Sequence, residues 1–430
     1  MVDAFFIIFM NSKLILSIEY LMKKYSLDKS KIKVLLLEGV HENAVNYFKE
    51  NGYSDIECHK EALSGTLLEE KLRQAHIIGI RSRTELNKSL ISKAPKLFAI
   101  GCFSIGTNQV DTSYAKMMGI PVFNAPFSNT RSVAEMVIAE CIMLMRGIPE
   151  KSAMAHKKIW MKSANNSVEV RGKTLGIIGY GHIGSQVSIL AESFGMNISY
   201  FDIEKKLSLG NARPVAKLED LLKTADTVTI HVPSTELTRN MISREQISHM
   251  KKGSCLINAS RGDVVDYKAL AEGLKTGQLA GVAADVFPHE PASADEPFLN
   301  ELQEFHNVIL TPHIGGSTLE AQANIGMEVA EKLVKYSDTG STIGAVNFVE
   351  ISLQASSSKQ RFLHIHKNVP GVLREINHFF SSKGINISAE YLQTDPDIGY
   401  VIIETDSELD ASVLQDLRNI PHTIRARLLY

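Results

Sequence analysis

An arginine, a glutamate and a histidine stand just beyond three successive apolar runs of this 430-residue chain. They are Arg261, Glu290 and His313, and each preceding run reads as a strand. The carboxyl ends of parallel strands meet at one edge of an open sheet, where such sheets bind ligands, so we expect the three side chains to converge. Singly, each is equally well explained as a surface or capping residue, and the expectation rests on their joint occurrence.

The three residue types suit the oxidation of a 2-hydroxy acid. A histidine titrates in the range in which it can take the hydroxyl proton while hydride leaves the same carbon. A neighbouring carboxylate can orient the imidazole and raise its pKa. An arginine can bind the carboxylate of the acid through two hydrogen bonds, which a lysine cannot reproduce.

A glycine-rich loop upstream indicates a dinucleotide cofactor. Gly179-Tyr-Gly-His-Ile-Gly184 follows a predicted strand at 174–178 and precedes a predicted helix at 185–193. Gly179 permits a tight turn, Gly181 lets the backbone approach a pyrophosphate, and Gly184 lets helix and strand pack closely. The helix N-terminus then faces the negative charge of the phosphates.

The residue that ends the next predicted strand favours NAD over NADP. Asp202 can accept hydrogen bonds from both ribose hydroxyl groups, and its charge repels a 2′-phosphate. Lys205 and Lys206 follow closely and weaken this exclusion. The cofactor class is therefore better determined than the preference between the two cofactors.

Strand-like runs alternate with helical stretches in two blocks, which is typical of parallel sheets. The first block has predicted strands at 33–40, 77–80, 97–101 and 121–124. The second has predicted strands at 174–178, 197–202, 227–232, 255–259, 281–286 and 308–310. An apolar helical stretch at 132–146 connects the blocks, and the sequence predicts two α/β domains, the second with a doubly wound sheet.

A third module follows a Ser-rich stretch near residue 356 that reads as a linker. Its predicted order is strand 361–366, helix 371–382, strand 386–392, strand 399–405, helix 411–419 and strand 423–429. This βαββαβ order is the ferredoxin-like motif, and it predicts a separate C-terminal module.

Composition excludes several other classes of protein. Lys plus Arg (46) nearly balances Asp plus Glu (48), so no nucleic-acid partner is expected. The four cysteines have neither metal-ligand nor redox-pair spacing, which predicts no metal site and suits a reducing cytoplasm. Residues 1–21 fit neither a signal peptide nor a membrane span. We expect them to be an extension that precedes the native start at Met22.

Several motifs together resemble the D-2-hydroxyacid dehydrogenases: the glycine loop, Asn258-Ala-Ser-Arg-Gly, Asp285-Val-Phe-Pro-His-Glu-Pro and Thr311-Pro-His-Ile-Gly-Gly. Three more, Gly79-Ile-Arg-Ser-Arg-Thr, Ile105-Gly-Thr-Asn-Gln-Val-Asp and Asn124-Ala-Pro-Phe-Ser-Asn-Thr, resemble the bacterial members that act on 3-phosphoglycerate and carry one C-terminal ACT domain. The resemblance covers nearly all of the chain after Met22.

The resemblance implies a flavodoxin-like substrate-binding domain with an NAD-binding Rossmann domain inserted into it, and an active site in the cleft between them. The implied parts are an extension at 1–21, a substrate-binding domain at 22–125 and 312–340, an NAD-binding domain at 126–311, a linker at 341–358 and an ACT regulatory domain at 359–430.

The resemblance also assigns roles to individual residues. Arg261 binds the substrate carboxylate, His313 is the acid and base, and Glu290 is its partner. The implied cofactor residues are Gly179, Gly181, His182, Ile183, Gly184, Asp202, Ala259, Ser260, Arg261, Asp285, His313, Gly315 and Gly316. The substrate residues expected are Arg81, Ser82, Arg83 and Asn129, with Lys60 and Lys162 as weaker candidates for cations at the phosphate. Of these, Arg81 and Arg83 can clamp one phosphate group, although alone they read equally well as a solvated surface pair.

Regulation is implied for the third module. His364-Ile-His366-Lys-Asn368-Val-Pro-Gly resembles the first strand and turn of ACT domains, which bind amino acids. The implied ligand is the inhibitor L-serine, bound across two paired modules by His366, Asn368 and Asn386, so we expect at least a dimer and, from the family, a tetramer. Trp160 is a candidate for a subunit contact.

Two other functions remain open at this point. The same chemistry could act on glycerate, lactate or 2-hydroxyglutarate, and the fold could serve a non-catalytic NAD-binding regulator. Arg81 and Arg83 argue against unphosphorylated acids, and the complete set of Arg261, Glu290 and His313 argues against a regulator.

Overall fold

The computed structural model describes residues 28–291, 296–354, 360–406 and 411–429. The expected extension at 1–21 lies outside these residues. The chain divides into two compact units, one with the residues up to Pro126 and from Ala323 on, the other with Phe127–Gln322. The chain therefore leaves the first unit, builds the second and returns to the first.

The first unit contains a five-stranded parallel sheet. Its strands are β1 (Val34–Leu36), β2 (Ile56–Cys58), β3 (Ile77–Ile80), β4 (Ala99–Cys102) and β5 (Val122–Phe123), and its helices are α1 (Glu42–Glu50), α2 (Gly65–Gln74), α3 (Lys88–Ser92) and α4 (Thr112–Met117). The strand order is β2-β1-β3-β4-β5, which is the flavodoxin-like order. Strands β1, β3, β4 and β5 are buried throughout, because helices cover both faces of such a sheet.

Strand β1 is shorter than the apolar run at 33–40 predicts. It stops at Leu36, and Glu38 and Gly39 both have a φ of 63°. Glycine adopts this left-handed conformation freely, whereas glutamate does so only where its surroundings hold it. The resulting bend ends the strand and leaves Glu38 only 3% exposed.

The second unit contains a seven-stranded parallel sheet among its described residues. Its strands are β6 (Thr174–Ile178), β7 (Asn197–Phe201), β8 (Arg213–Pro214), β9 (Thr227–Ile230), β10 (Ser254–Asn258), β11 (Leu279–Ala284) and β12 (Val308–Leu310). Its helices are α5 (Thr130–Met145), α6 (Ile148–His156), α7 (His182–Ser193), α8 (Leu218–Thr224), α9 (Arg244–His249) and α10 (Tyr267–Thr276). The order β12-β11-β10-β9-β6-β7-β8 confirms the doubly wound sheet, with its switch point between β6 and β9.

Two edge strands escape prediction from the sequence. Strand β2 is Ile-Glu-Cys and only partly buried, so it lacks the continuous apolar run of the central strands. Strand β8 is an exposed Arg-Pro pair, and proline is tolerated there because an edge strand needs no donor on its open side. The other predicted strands of both sheets are present, with ends that differ by a few residues.

Helix α11 (Leu319–Thr339) leads from the second unit back to the first. The C-terminal module follows with β13 (Gln360–Lys367), α12 (Val372–Ser382), β14 (Ile387–Thr394), β15 (Ile398–Thr405), α13 (Ala411–Arg418) and β16 (Thr423–Leu429). Its antiparallel sheet has the order β14-β15-β13-β16. The predicted βαββαβ module is confirmed.

The C-terminal sheet is buried on both faces along β13 and β15, whereas most of β14 is exposed. One face packs on the module's own helices, with Phe362 against Ile376 and Phe380. The other face shares a hydrophobic cluster with the flavodoxin-like sheet, in which Tyr400 and Leu429 take part. The module has its own hydrogen-bonded sheet, but within the first unit it shares a core with its neighbour.

The described part of the expected linker belongs to the same cluster. Ile351 and Leu353 are 6% and 5% exposed. Thr342 holds the segment through its N–H, which donates to the carbonyl of Ile351 (2.9 Å), and its hydroxyl, which donates to the carbonyl of Val349 (2.7 Å). Residues 341–354 are therefore packed in place. None of the described helices combines the length and apolarity needed to cross a bilayer.

Candidate active site and cofactor site

The glycine loop connects β6 to α7, and each glycine is required for a different reason. Gly179 has a φ of 89°, and a Cβ atom there would lie 2.4 Å from the carbonyl oxygen of His231. A Cβ atom at Gly184 would lie 2.2 Å from the carbonyl oxygen of Gly179. At Gly181 a Cβ atom would meet nothing within 4 Å, so this glycine faces open space at the start of the helix. These are the features of a loop that receives a pyrophosphate.

Asp202 lies beyond the end of β7 with a fixed carboxylate. Its Oδ2 accepts from the N–H of Tyr180 (2.8 Å), and its Oδ1 accepts from the N–H of Glu204 (2.8 Å). Each oxygen keeps a lone pair for a ribose hydroxyl group. Lys206 is paired with Glu204 at 2.5 Å, so its charge is partly neutralised beside the site.

The first turn of α7 supplies the remaining contacts around the loop. The His182 ring lies against the Phe127 ring, with centroids 3.8 Å apart. Ile183 packs against the apolar core between the sheet and α5. His182 therefore lies at the surface of the cofactor loop, and Ile183 anchors the first turn of α7 to the apolar core.

His313 and Glu290 form a hydrogen-bonded pair. The Nδ1 atom of His313 lies 2.8 Å from the Oε2 atom of Glu290. The Oε1 atom of Glu290 accepts from the N–H of Phe287 (3.2 Å). Because Nδ1 is bound to the carboxylate, the Nε2 atom of His313 is the nitrogen left for a substrate.

The pair shifts the pKa of both side chains. The hydrogen bond that His313 donates to Glu290 raises the pKa of His313 above its usual value and outweighs the opposite effect of burial. Partial burial would raise the pKa of Glu290, but the hydrogen bonds from His313 and Phe287 outweigh it and hold that pKa low. Glu290 is therefore a carboxylate at neutral pH, and His313 is a stronger base than an isolated histidine.

Asp285 holds the loop that carries His313. Its Oδ1 accepts from the hydroxyl of Thr311 (2.6 Å) and the N–H of Ile314 (2.8 Å), and its Oδ2 accepts from the N–H of Gly315 (2.8 Å). His313 lies inside this loop with a φ of 54°. Asp285 thus stabilises an unfavourable backbone conformation, a role that the sequence does not reveal.

The glycines after His313 permit close packing. A Cβ atom at Gly315 would lie 2.9 Å from Asp285, and one at Gly316 would lie 2.4 Å from the side-chain nitrogen of Asn129. Asn129, expected among the substrate residues, therefore lies next to the loop of His313.

Arg261 lies close to the dyad of Glu290 and His313. Its charge lowers the pKa of both side chains. The two loops touch, because a Cβ atom at Gly262 would lie 2.0 Å from the carbonyl carbon of Phe287. The side-chain oxygen of Asn258 accepts from the N–H (3.1 Å) and hydroxyl (2.8 Å) of Ser260 and so shapes the turn before Arg261. The structure thus brings the three predicted catalytic residues together.

Glu38 organises the two-arginine loop after β3. Its carboxylate accepts from the N–H groups of Arg81 (3.1 Å), Arg83 (2.9 Å) and Thr84 (2.8 Å). Burial would raise the pKa of Glu38, but these hydrogen bonds outweigh it and lower that pKa. Glu38 was not among the residues expected at this site, and its signal in the sequence is an acidic side chain at the end of an apolar run just before a glycine.

Lys60 reaches the same end of the flavodoxin-like sheet. The backbone on either side of it pairs with the Glu38 bend, because Gly39 N–H donates to the carbonyl of His59 (2.9 Å) and Glu38 N–H donates to that of Glu61 (3.2 Å). Lys162 lies in the other unit, on an exposed stretch without regular structure. Ser82 is exposed between the two arginines.

The three expected effector residues are not close together within one chain. In the register of the sheet, His366 lies level with Gly399 and Thr394, near Asn368. Asn386 precedes Ile387, which lies level with Thr405 and Gln360 at the other end. Six residues along a strand separate the two ends, about 20 Å.

A buried histidine pair lies at the end of β13. The Nδ1 atoms of His364 and His366 are 3.4 Å apart, and the Nε2 atom of His364 lies 2.9 Å from the hydroxyl of Thr423. Burial lowers the pKa of His364 to about 4. This histidine is therefore neutral at physiological pH, and it supports His366 as a hydrogen-bonding neighbour rather than as a charge.

Comparison with known proteins shows to which family the chain belongs. Residues 138–315 match the D-isomer specific 2-hydroxyacid dehydrogenase NAD binding domain. The chain is 57% identical to the D-3-phosphoglycerate dehydrogenase of Escherichia coli, in a match that covers 95% of this chain and 100% of that protein. It is 56% identical to the D-3-phosphoglycerate dehydrogenase of Haemophilus influenzae, in a match that covers 95% of this chain and 99% of that protein. The chain belongs to the D-isomer specific 2-hydroxyacid dehydrogenases.

The family membership fixes the cofactor class of this dehydrogenase. A D-lactate dehydrogenase from Aquifex aeolicus, solved with NAD and lactic acid, is 30% identical and superposes with a TM-score of 0.64 over 74% of this chain and all of that one. The dehydrogenase is an NAD-dependent oxidoreductase. Residues 362–425 match an ACT domain of the type found in AHAS small subunits, which confirms the regulatory module.

Proposed function

We propose that this dehydrogenase oxidises 3-phosphoglycerate to 3-phosphohydroxypyruvate, the first step of L-serine biosynthesis. The observation that carries the proposal is the His313–Glu290 pair, 2.8 Å between Nδ1 and Oε2, with Arg261 beside it. The relatives that match this chain along nearly their whole length are named for the same reaction.

The mechanism follows from the atoms that the dyad leaves available. Arg261 binds the substrate carboxylate and places the C2 hydroxyl group near Nε2 of His313. As the hydroxyl proton passes to Nε2, the carboxylate of Glu290 stabilises the imidazolium through Nδ1. When bound, NAD accepts the hydride that leaves C2. In the reverse direction, protonated His313 returns the proton to the oxygen.

The phosphate group selects the substrate among 2-hydroxy acids. Arg81 and Arg83 lie two residues apart on a loop whose backbone Glu38 holds, and guanidinium pairs suit a phosphate dianion. Lys60 adds a third cation at the same end of the sheet. Asn129 and Lys162 complete the proposed substrate residues, and we assign the substrate-binding domain to 22–125 and 312–340.

We further propose feedback inhibition by L-serine, bound between the ACT domains of two subunits. Because His366 and Asn386 lie at opposite ends of one sheet, a site that uses both needs a second chain. Trp160 is 86% exposed beside Ile159 (49%) and Met161 (38%), an apolar surface that suits a subunit contact in a tetramer. Four unpaired cysteines agree with a cytoplasmic protein.

The proposal is tested by NADH absorbance with 3-phosphoglycerate, glycerate, lactate and 2-hydroxyglutarate, each with and without L-serine. We expect turnover of 3-phosphoglycerate alone at low concentrations, and its suppression by serine. His313→Ala should abolish turnover while NADH binding persists, and Arg81→Ala should mainly raise KM for the phosphorylated acid. Equal turnover of glycerate would refute the phosphate assignment, and no turnover of any acid would favour the regulator.

A further inference from the structure

A buried tyrosine lies against the loop that carries Glu290. Tyr267 opens helix α10 and is 4% exposed. Its hydroxyl donates to the carbonyl of Val286, and its ring lies 5.9 Å from that of Phe287, centroid to centroid. Burial raises the pKa of the phenol, so it stays a neutral donor throughout the working pH range.

The acceptor of Tyr267 belongs to the peptide unit that orients Glu290. The carbonyl of Val286 and the N–H of Phe287 are the two ends of one planar peptide bond. That N–H donates to Oε1 of Glu290 (3.2 Å), and Oε2 of Glu290 binds His313 (2.8 Å). A hydrogen bond on the carbonyl therefore fixes the direction of the N–H and polarises it toward the carboxylate.

The loop of Arg261 packs directly on the loop of Glu290, because a Cβ atom at Gly262 would lie 2.0 Å from the carbonyl carbon of Phe287. The side chains of Glu290 and His313 are 38% and 52% exposed, so they need an anchor that water does not reach. Tyr267 supplies it from a helix whose start is capped by Asp266.

We propose that Tyr267 is a positioning residue for the acid and base of the reaction: its hydroxyl holds the Val286–Phe287 peptide so that Glu290 orients His313. This rests on the proposed role of His313. It predicts that removing one buried oxygen, which touches neither substrate nor cofactor, alters the proton transfer.

The sign of the expected pH effect follows from the groups around His313. Glu290 and Asp285 raise its pKa and Arg261 lowers it. Only the contact with Glu290 depends on the Val286–Phe287 peptide. Weakening that contact therefore lowers the pKa of His313. Oxidation requires neutral His313, so kcat/KM falls as His313 becomes protonated in acid. This acid limb of the pH profile of kcat/KM moves to lower pH when the pKa of His313 is lowered.

The test is Tyr267→Phe, which keeps the ring and removes the hydroxyl. We expect kcat for oxidation to fall about three- to tenfold, the size of one hydrogen bond, with KM for the acid nearly unchanged and the acid limb moved to lower pH. The matched control is Tyr400→Phe, which removes a buried hydroxyl that donates to the carbonyl of Gly340 in the other unit. It should leave the acid limb in place.

A double variant separates positioning from a purely structural role. On a Glu290→Gln background, Tyr267→Phe should produce no further movement of the limb, because the carboxylate through which it acts is gone. NADH binding, followed by fluorescence, reports whether each variant is folded. An unmoved limb in folded Tyr267→Phe, or equal movement on both backgrounds, would overturn the inference. A wild-type protein that oxidises no acid would instead refute the proposed function.

Discussion

At the scale of single residues, function depends on which atoms the neighbours leave unoccupied. Glu290 hydrogen bonds to one ring nitrogen of His313 and leaves the other available. Both carboxylate oxygens of Asp285 accept hydrogen bonds from residues on either side of that histidine. Glu38 does the same for the arginine loop. In each case a carboxylate fixes the position of a neighbouring group, and the cation or base beside it is the group proposed to act on the substrate.

The charge of Glu290 can be removed without changing its shape. Glu290→Gln keeps an acceptor for His313 but loses the charge that raises the pKa of the imidazole, so the acid limb for oxidation should move to lower pH. We expect kcat to fall about tenfold to a hundredfold, because the imidazolium loses its partner. The pH dependence of kcat and kcat/KM measures both effects. Glu304→Gln, at an exposed position, is the control, and an unmoved limb in Glu290→Gln would contradict the assignment.

Glu38→Gln should loosen the phosphate loop. We expect KM for 3-phosphoglycerate to rise about tenfold with little change in kcat or NADH binding, because the change removes the charged acceptor only from the backbone of Arg81, Arg83 and Thr84. The control is Glu61→Gln, since Glu61 is 79% exposed and lies 3.8 Å from Arg83. A larger effect on kcat than on KM would argue against the phosphate role.

The same substitution has a consequence for stability. The pKa of Glu38 is lowered by folding, so its contribution is present above the pKa of an unfolded glutamate and is lost as pH falls through the folded pKa. Glu38→Gln should therefore be less stable than wild type at neutral pH, and the difference should shrink in acid. Urea unfolding at neutral and acidic pH measures this difference.

At the scale of elements, the candidate catalytic side chains follow the carboxyl ends of neighbouring strands. The convergence of Arg261, Glu290 and His313 could be predicted from the sequence, because each follows an apolar run that reads as a strand and the carboxyl ends of parallel strands meet at one edge of the sheet. Tyr267 could not be identified, because a contact with a backbone group of another segment leaves no pattern of residue types. Glu38 left one signal, an acidic side chain at the end of an apolar run just before a glycine, but its backbone partners could not be predicted. The short edge strands β2 and β8 escaped for a related reason, since pairing rather than apolar content defines them.

Two glycines of the cofactor loop should respond in opposite ways to an added methyl group. Gly184→Ala places Cβ 2.2 Å from a backbone carbonyl oxygen, so we expect a loss of about 1–3 kcal/mol in the free energy of unfolding. Gly181→Ala meets open space, so the fold should keep its stability while NADH binding is lost. Thermal unfolding and NADH fluorescence titration separate the two, and tight NADH binding by Gly181→Ala would place the pyrophosphate elsewhere.

At the scale of the whole molecule, the ACT domain is tied to its neighbour by more than a covalent connection. Besides the shared core, Lys116 of α4 pairs with Asp395 (2.9 Å) and Asp397 (2.6 Å) in the turn between β14 and β15. That turn also binds Asn368, whose side chain donates to the carbonyl of Asp395 (2.7 Å). The sequence predicted the module and its order of elements, but neither the shared core nor this ion pair, because both join segments far apart in the chain.

Lys116→Met should weaken communication between the ACT domain and the flavodoxin-like sheet. We expect serine still to bind, but the maximal inhibition to decrease, because an effector acts only through contacts that differ between the two states. Isothermal titration measures binding, and NADH formation at saturating serine measures inhibition. Lys93→Met, which removes a surface pair with Glu69 inside the same unit, is the control. Full inhibition in Lys116→Met would exclude this route.

If His366 and Asn386 both bind the proposed effector, their separation along one sheet makes inhibition depend on the association of chains. If the effector is held between two chains, inhibitor binding and chain association stabilise each other. Dilution of the protein at constant serine should then relieve inhibition, and added serine should lower the concentration at which the assembly dissociates. The abundance of the protein, and not only that of the amino acid, would set how strongly the pathway is restrained.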